Sequence, residues 1–164
     1  MKKYYLKQKA LAVRASYTIY DEFENALYIC KAKMFSPKGA VEIYDTKDNT
    51  HLFTMHRKIF SIMPVHYLID QQGTTIATMR QRFAMRRQRV NIESQYGHFE
   101  VEGDLWAHNF SIRKEDKEVV YVKKKFLSWG DSYEITITEG EHIEFLLALT
   151  IMIDRKFHTK KRKR

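Results

Sequence analysis

A charged residue followed by an apolar or aromatic pair recurs six times along the chain, at steps of 24, 25, 24, 22 and 21 residues. The copies are Lys9-Ala10-Leu11, Lys33-Met34-Phe35, Lys58-Ile59-Phe60, Arg82-Phe83-Ala84, Asp104-Leu105-Trp106 and Lys125-Phe126-Leu127. Behind each lies a second landmark, an aromatic or β-branched residue two positions before an Ile. These are Tyr17/Ile19, Val41/Ile43, Tyr67/Ile69, Val90/Ile92, Phe110/Ile112 and Tyr133/Ile135, with the Ile 10, 10, 11, 10, 8 and 10 residues after the charge. A repeat of this length means one supersecondary unit copied along the chain.

Within a copy the hydropathy alternates with period two, which is the signature of strand. In Tyr133-Glu-Ile-Thr-Ile137, Tyr133, Ile135 and Ile137 share one face and Glu134 and Thr136 the other. Turn chemistry follows several second strands, as in Asp21-Glu22, Asp45-Thr46-Lys47-Asp48-Asn49 and Asp70-Gln71-Gln72-Gly73. Ser36-Pro37-Lys38-Gly39 and Ser128-Trp129-Gly130-Asp131 punctuate the middle of two copies. Two strands per copy predict about twelve short strands, paired mainly antiparallel because no helix lies between them. So wide an open sheet exposes its edges, whereas closure removes them, and a barrel is expected. Propeller blades hold four strands in about 40 residues, which these units are too short to supply.

Residues from Ile143 to Phe157 break the alternation. Phe145, Leu146, Leu147, Leu149, Ile151, Met152 and Ile153 make a run apolar on every side, so the helix it forms must be buried. Thr138-Glu-Gly-Glu141 reads as a capping box, placing the helix at about 139–157. Glu139, Glu141 and Glu144 near its start and Arg155, Lys156 and His158 near its end suit the helix dipole. A membrane span needs about 20 apolar residues, and this run is bounded by Glu144 and Asp154. No transmembrane span is expected. Twelve strands tilted by about 40° enclose a tube of roughly 24 Å, and a helix of about 10–12 Å fits inside with one layer of side chains around it. The expected domain is residues 1–158, with 159–164 a basic, disordered tail.

The formal charge is +9, and five positive charges sit in Lys160, Lys161, Arg162, Lys163 and Arg164. Such a run is either a solvated tail or an attractor of anionic lipid or nucleic acid. Cys30 is the lone cysteine, which excludes an internal disulfide and any cysteine metal cluster. It falls in a strand, where a half-buried, inert thiol is expected. No apolar run follows the basic start of the chain, so no secretory signal is read. The expected location is cytoplasmic, with a peripheral place on the inner membrane face open. The seven His, at 51, 56, 66, 98, 108, 142 and 158, show no zinc spacing, and no nucleophile elbow, phosphate loop or dinucleotide fingerprint is present. No catalytic residue, metal or cofactor is expected.

The candidate anion-binding cluster is Arg80, Arg82, Arg86, Arg87 and Arg89, spanning a strand end and the loop after it, with the basic tail as its second part. The planar guanidinium suits phosphate. The competing reading is a solvated outer barrel face. Lys123-Lys124-Lys125 is weaker, since alternation sends neighbouring Lys to opposite faces. Asp104, beside Gly103, reads as a structural turn residue, and Trp106 and Trp129 as core or rim packing.

Phe99-Glu-Val-Glu-Gly-Asp-Leu-Trp106, then Lys123-Lys-Lys-Phe-Leu-Ser-Trp-Gly-Asp-Ser-Tyr-Glu-Ile135, then the apolar terminal helix, resemble the LURP-one-related family. That family belongs to the tubby C-terminal-like superfamily, together with the phospholipid scramblases. The resemblance runs from Tyr4 to about His158 and implies a twelve-stranded antiparallel barrel around a central hydrophobic helix. Tubby domains are associated with phosphoinositides, scramblases with membranes and plant members with defence. No tubby lipid-site motif stands in this sequence, so no residue role is carried over. The resulting expectation is a non-catalytic module that docks reversibly on anionic phospholipid or phosphoinositide membranes. A protein-interaction scaffold without lipid ligand, and weak electrostatic nucleic-acid binding through the tail, are the alternatives.

Overall fold

A computed structural model describes residues 1–8, 17–83, 88–127 and 130–158. Twelve strands run in order: β1 (Lys2–Gln8), β2 (Tyr17–Tyr20), β3 (Ala26–Ala32), β4 (Val41–Asp45), β5 (His51–Arg57), β6 (Val65–Ile69), β7 (Thr75–Phe83), β8 (Gln88–Ser94), β9 (Gly97–Asp104), β10 (Asn109–Lys114), β11 (Lys117–Leu127) and β12 (Gly130–Ile137). One helix, α1 (Ile143–His158), follows. Each strand pairs antiparallel with its sequence neighbours, and β1 closes the barrel against β12 with Tyr4 opposite Ile135 and Leu6 opposite Tyr133. Closure removes both sheet edges, as the repeat argument required.

Each repeat copy is one hairpin. The charged landmark lies at or beside the end of an odd-numbered strand, and the Ile lies in the even-numbered strand after it. Ile19, Ile43, Ile92, Ile112 and Ile135 point into the barrel and are buried. The third copy departs from this. There Leu68 is fully buried opposite Met55 and Ala77, while Tyr67 and Ile69 are only half-buried. The landmark expected at Ile69, 11 residues past Lys58 instead of 10, is one residue out of phase. With a side-chain period of two, that slip exchanges the inner and outer faces. The inward pair is His66/Leu68.

The tube is filled by α1. Every residue from Phe145 to Asp154 is buried, with Leu149, Ile151 and Ile153 at the centre of the core. The Thr150 hydroxyl donates to the Leu146 carbonyl at 2.9 Å, which satisfies it where no water reaches. The expected capping box is not formed. The helix begins at Ile143, its first backbone bond running from Leu146 N–H to the His142 carbonyl. Thr138 instead extends the β12 ladder, its N–H and hydroxyl reaching Val119 and Glu118 of β11. Glu141 pairs with Lys114 at 3.3 Å. Residues 138–142 are the bend that turns the chain from the wall into the lumen.

Two turns explain local sequence choices. Asp104 Oδ1 accepts the N–H groups of Trp106 and Ala107 at 3.1 and 3.0 Å, so Asp104 is a turn residue as expected. Gly103, at φ +120°, lies where a Cβ would come within 2.6 Å of the Asn109 carbonyl oxygen, and only glycine fits. Cys30 is fully buried rather than half-buried, and burial pushes its thiol up to about 12, leaving it inert.

Candidate functional site

An up-and-down barrel sends all of its odd-to-even connections to one end and all of its even-to-odd connections to the other. The helix enters at the second end, where Phe145 packs on Tyr96 of the β8–β9 turn at 4.6 Å and His142 on the same ring at 4.1 Å. It leaves at the first end, where Phe157 meets Trp106 of the β9–β10 connection edge-on at 5.5 Å.

The two ends differ in charge. Among the described residues the connecting segments at the exit end carry Lys33, Lys38 and Lys58 and no acidic residue. At the entry end they carry Asp21, Glu22, Glu24, Asp48, Asp70, Glu115, Asp116, Glu139 and Glu141 against Lys47 alone. The described connections therefore differ in sign between the two ends of the barrel. Several entry-end acids have structural work there: Asp21 Oδ1 accepts the N–H groups of Phe23 and Asn25, and Asp70 Oδ1 those of Gln72 and Thr74.

Of the residues expected to bind anions, Arg80 is exposed on β7 opposite Asn91 of β8. Arg82 of β7 and Arg89 of β8 are backbone partners across the same hairpin. Arg86 and Arg87, the side chains of Arg82 and Arg89, and Lys160, Lys161, Arg162, Lys163 and Arg164 lie outside the described residues, as does Trp129. Lys123 and Lys125 of β11 are exposed while Lys124 between them is half-buried, as alternation requires. Lys125 is taken up by Glu134 at 3.0 Å. Sequence reasoning passed over the apolar tips of this same end. Met34 and Phe35 in the β3–β4 connection and Phe60, Ile62 and Met63 in the β5–β6 connection are exposed, and Trp106 is half-exposed on the rim. Their flanking Ser, Pro and Gly residues were the available signal.

Inside the barrel at the exit end lies a polar cluster that the sequence did not suggest. Asp154 of α1 is buried, with Oδ1 2.9 Å from His108 Nδ1 and Oδ2 accepting the Tyr17 hydroxyl at 3.0 Å. His108 Nε2 in turn lies 3.3 Å from the Tyr133 hydroxyl, and the two rings stack at 4.4 Å. Burial, then the Asp154 charge, raises Tyr17 well above the usual phenol range. An Asp-His-Tyr chain is chemically capable of proton relay, but these groups face packed side chains and bolt the helix to β2, β12 and the β9–β10 connection. Among the described residues no three His, Cys, Asp or Glu are placed to hold a metal ion.

His66 sits on the inner wall near the same end. Burial foremost, then the positive charges of Lys156, Arg57 and Arg155, lower its pKa from 6.5 to about 4. Below pH 6.5 the unfolded chain takes up this proton while the folded chain does not, so stability falls as pH drops from 6.5 toward 4. The loss approaches about 3 kcal/mol across that window, an upper bound. Urea midpoints for wild type and His66→Gln at pH 7 and pH 4.5 measure it. The difference between the two proteins is expected to change by about 2–3 kcal/mol between the two pH values.

A closed antiparallel barrel of twelve strands around its own apolar helix defines a helix-plugged barrel. No helix among the described residues is long and apolar enough to cross a membrane. The LURP-one-related family model matches residues 2–154, and the chain belongs to that family. Its curated relative, the uncharacterized protein YxjI of Bacillus subtilis (strain 168), is 27% identical over 150 residues, covering 92% of this chain and 90% of the relative. An Arabidopsis thaliana protein known from its X-ray structure superposes with a TM-score of 0.64 at 13% identity, covering 94% of this chain and 91% of that one. At that identity the likeness is one of fold.

Proposed function

We propose that this protein is a non-catalytic module that docks reversibly on anionic phospholipid with the helix-exit pole of its barrel against the membrane. The carrying observation is the charge of the described connections: Lys33, Lys38 and Lys58 without an acid at one pole, acidic turns at the other. In the field of an anionic surface such a molecule turns its basic pole inward and its acidic pole away. Alignment of this kind needs no ligand pocket and no transmembrane segment.

The strength follows from the charge count. Each basic residue near an anionic leaflet contributes about 1 kcal/mol, so the five candidate arginines supply roughly 5 kcal/mol at most. That corresponds to a dissociation constant on the order of 0.1–1 mM, strengthened if the tail also engages. Salt weakens it, because exposed charges are screened beyond about 10 Å at 0.1 M ionic strength. Co-sedimentation with vesicles containing phosphatidylserine, at low and at raised salt, tests the reading. Wild type is expected to pellet with anionic but not with neutral vesicles, and Arg86/Arg87/Arg89→Ala to bind on the order of 100-fold more weakly. Equal pelleting of the variant overturns it. Tighter binding to duplex DNA than to the vesicles at matched salt overturns it in favour of a nucleic-acid ligand.

A further inference from the structure

We infer that the β3–β4 and β5–β6 connections are apolar fingers that enter the lipid interface when the barrel docks, an inference that rests on the membrane reading above. Phe35 is 92% exposed, Phe60 99% and Ile62 101%, and Met34 lies open beside Phe35. Single exposed apolar side chains are ordinary on a protein surface; several fully exposed ones grouped in neighbouring loops mark an interaction site. The segments 33–40 and 57–64 that carry them contain Lys33, Lys38, Arg57 and Lys58 and no acidic residue. Apolar tips backed by basic residues match the two layers of an anionic bilayer surface, acyl chains beneath and phosphates above.

The tips stand on built stems. Lys33 N–H bonds to the Ala40 carbonyl at 2.9 Å and Gly39 N–H to the Ser36 carbonyl at 3.0 Å. Lys58 N–H bonds to the Val65 carbonyl at 2.8 Å, and Arg57 N–H reaches the Lys38 carbonyl at 3.1 Å, tying one loop to the other. Phe35 and Phe60 occupy equivalent places in successive repeat copies and both hold left-handed backbone, at φ 55° and 57°. An aromatic residue rarely takes that conformation. Here it leaves the Phe60 ring in solvent, and Phe35 92% exposed, outside the core. Strain combined with exposure at two equivalent positions argues for a use outside the fold. The β3–β4 and β5–β6 hairpins are neighbours around the wall, so the two fingers lie side by side on the rim.

The entry pole supplies an internal control. Phe23 is 79% exposed there, but it stands alone among Asp21, Glu22 and Glu24. An anionic membrane repels that setting.

The test uses the full chain and vesicles of phosphatidylcholine with or without phosphatidylserine. Cys30 is buried and inert, so a thiol-reactive, polarity-sensitive dye attaches selectively to a cysteine introduced by Phe60→Cys or, as control, by Phe23→Cys. With anionic vesicles the dye at position 60 is expected to shift to the blue and to be quenched by nitroxides on the acyl chains, and the dye at position 23 to do neither. Phe35→Asn/Phe60→Asn/Ile62→Ser is expected to weaken vesicle binding by about 10- to 100-fold, with the remainder abolished by salt. Asn tolerates left-handed backbone, so the loops keep their shape. If wild type ignores anionic vesicles at low salt, the membrane reading itself fails and the fingers with it. If wild type binds but the dye at position 60 reports water and the triple variant binds as wild type, docking stands and the fingers are overturned. A dye at position 23 that enters the acyl layer overturns the orientation.

Discussion

A chain ended at Gly140 is expected not to fold. The truncation removes α1 and leaves the inward faces of all twelve strands lining a tube wide enough for water. Seven large apolar side chains of the helix are buried to 2% exposure or less: Phe145, Leu146, Leu147, Leu149, Ile151, Met152 and Ile153. At about 1.5–3 kcal/mol each, their burial contributes on the order of 10–20 kcal/mol, an upper bound. A domain of ordinary size is stable by only about 5–15 kcal/mol, so the loss is comparable to its whole net stability. The wall fares no better, since Ile19, Ile43, Ile92, Ile112 and Ile135 lose the surface they pack on. The truncated protein is expected to lack a cooperative urea transition and to bind hydrophobic dye. In the intact chain, amides of residues 145–153 are expected to exchange only through global unfolding. A truncated chain with a sharp transition, or rapid exchange in that segment, contradicts the plugged-barrel account.

Much of this architecture was legible because the chain repeats itself. A single copy such as Arg82 to Ile92 is too short to distinguish a hairpin from many other things, but six copies at near-constant step define one unit built six times. Closure then followed from the cost of edges, and the apolar segment after Gly140 had nowhere to go but inside. What escaped was phase. Tyr67/Ile69 satisfied the landmark by composition, yet one extra residue after Lys58 moved them to the outer face and put His66 and Leu68 in the lumen. Composition alone does not resolve a one-residue slip; the cross-strand partners Met55 and Ala77 do. The capping box failed for a related reason. Thr138 and Glu141 have the right spacing, but Thr138 still belongs to the ladder with β11, and tertiary pairing overrides a local motif.

The candidate site was half legible. The arginines between 80 and 89 and the basic tail stand out by count. That the turns at the helix-entry end are acidic follows only once odd-to-even and even-to-odd connections are sorted by end. Phe35 and Phe60 were noticed as repeat landmarks and read as part of an alternating pattern. Their exposure depends on the backbone turning left-handed at each, which neighbouring residues such as Pro37 and Pro64 suggest but do not determine. Asp154 was least visible of all. Read along the chain, Asp154-Arg155-Lys156 marks where an apolar run ends, and a charged residue there is ordinarily in water. Its burial depends on Tyr17, 137 residues earlier, and on His108 from another connection.

Replacing Asp154 with Ala is accordingly expected to cost about 3 kcal/mol, because it removes the acceptor of the buried Tyr17 hydroxyl and opens a gap beside His108. The carboxylate is 5% exposed and serves two donors from two distant parts of the wall. Its removal leaves the buried Tyr17 hydroxyl without its acceptor, and a buried donor without a partner bears its full desolvation cost. For a chain of this length the midpoint of thermal unfolding is expected to fall by about 10 °C or more. Asp154→Asn discriminates the cause. An amide oxygen still accepts from His108 while its NH2 donates to the Tyr17 oxygen, so less than half of the loss is expected. Tyr17→Phe removes one bond only and is expected to cost about 1 kcal/mol. Combining Tyr17→Phe with Asp154→Ala is expected to cost less than the two separately, because the second change removes a group the first has already orphaned. The network also explains how an apolar helix in an apolar tube keeps one depth and one rotation. Dispersion contacts alone change little as such a helix turns, whereas Asp154 meets Tyr17 and His108 in a single setting. A loss below 1 kcal/mol for Asp154→Ala, or strict additivity with Tyr17→Phe, removes that explanation and leaves side-chain packing to set the helix by itself.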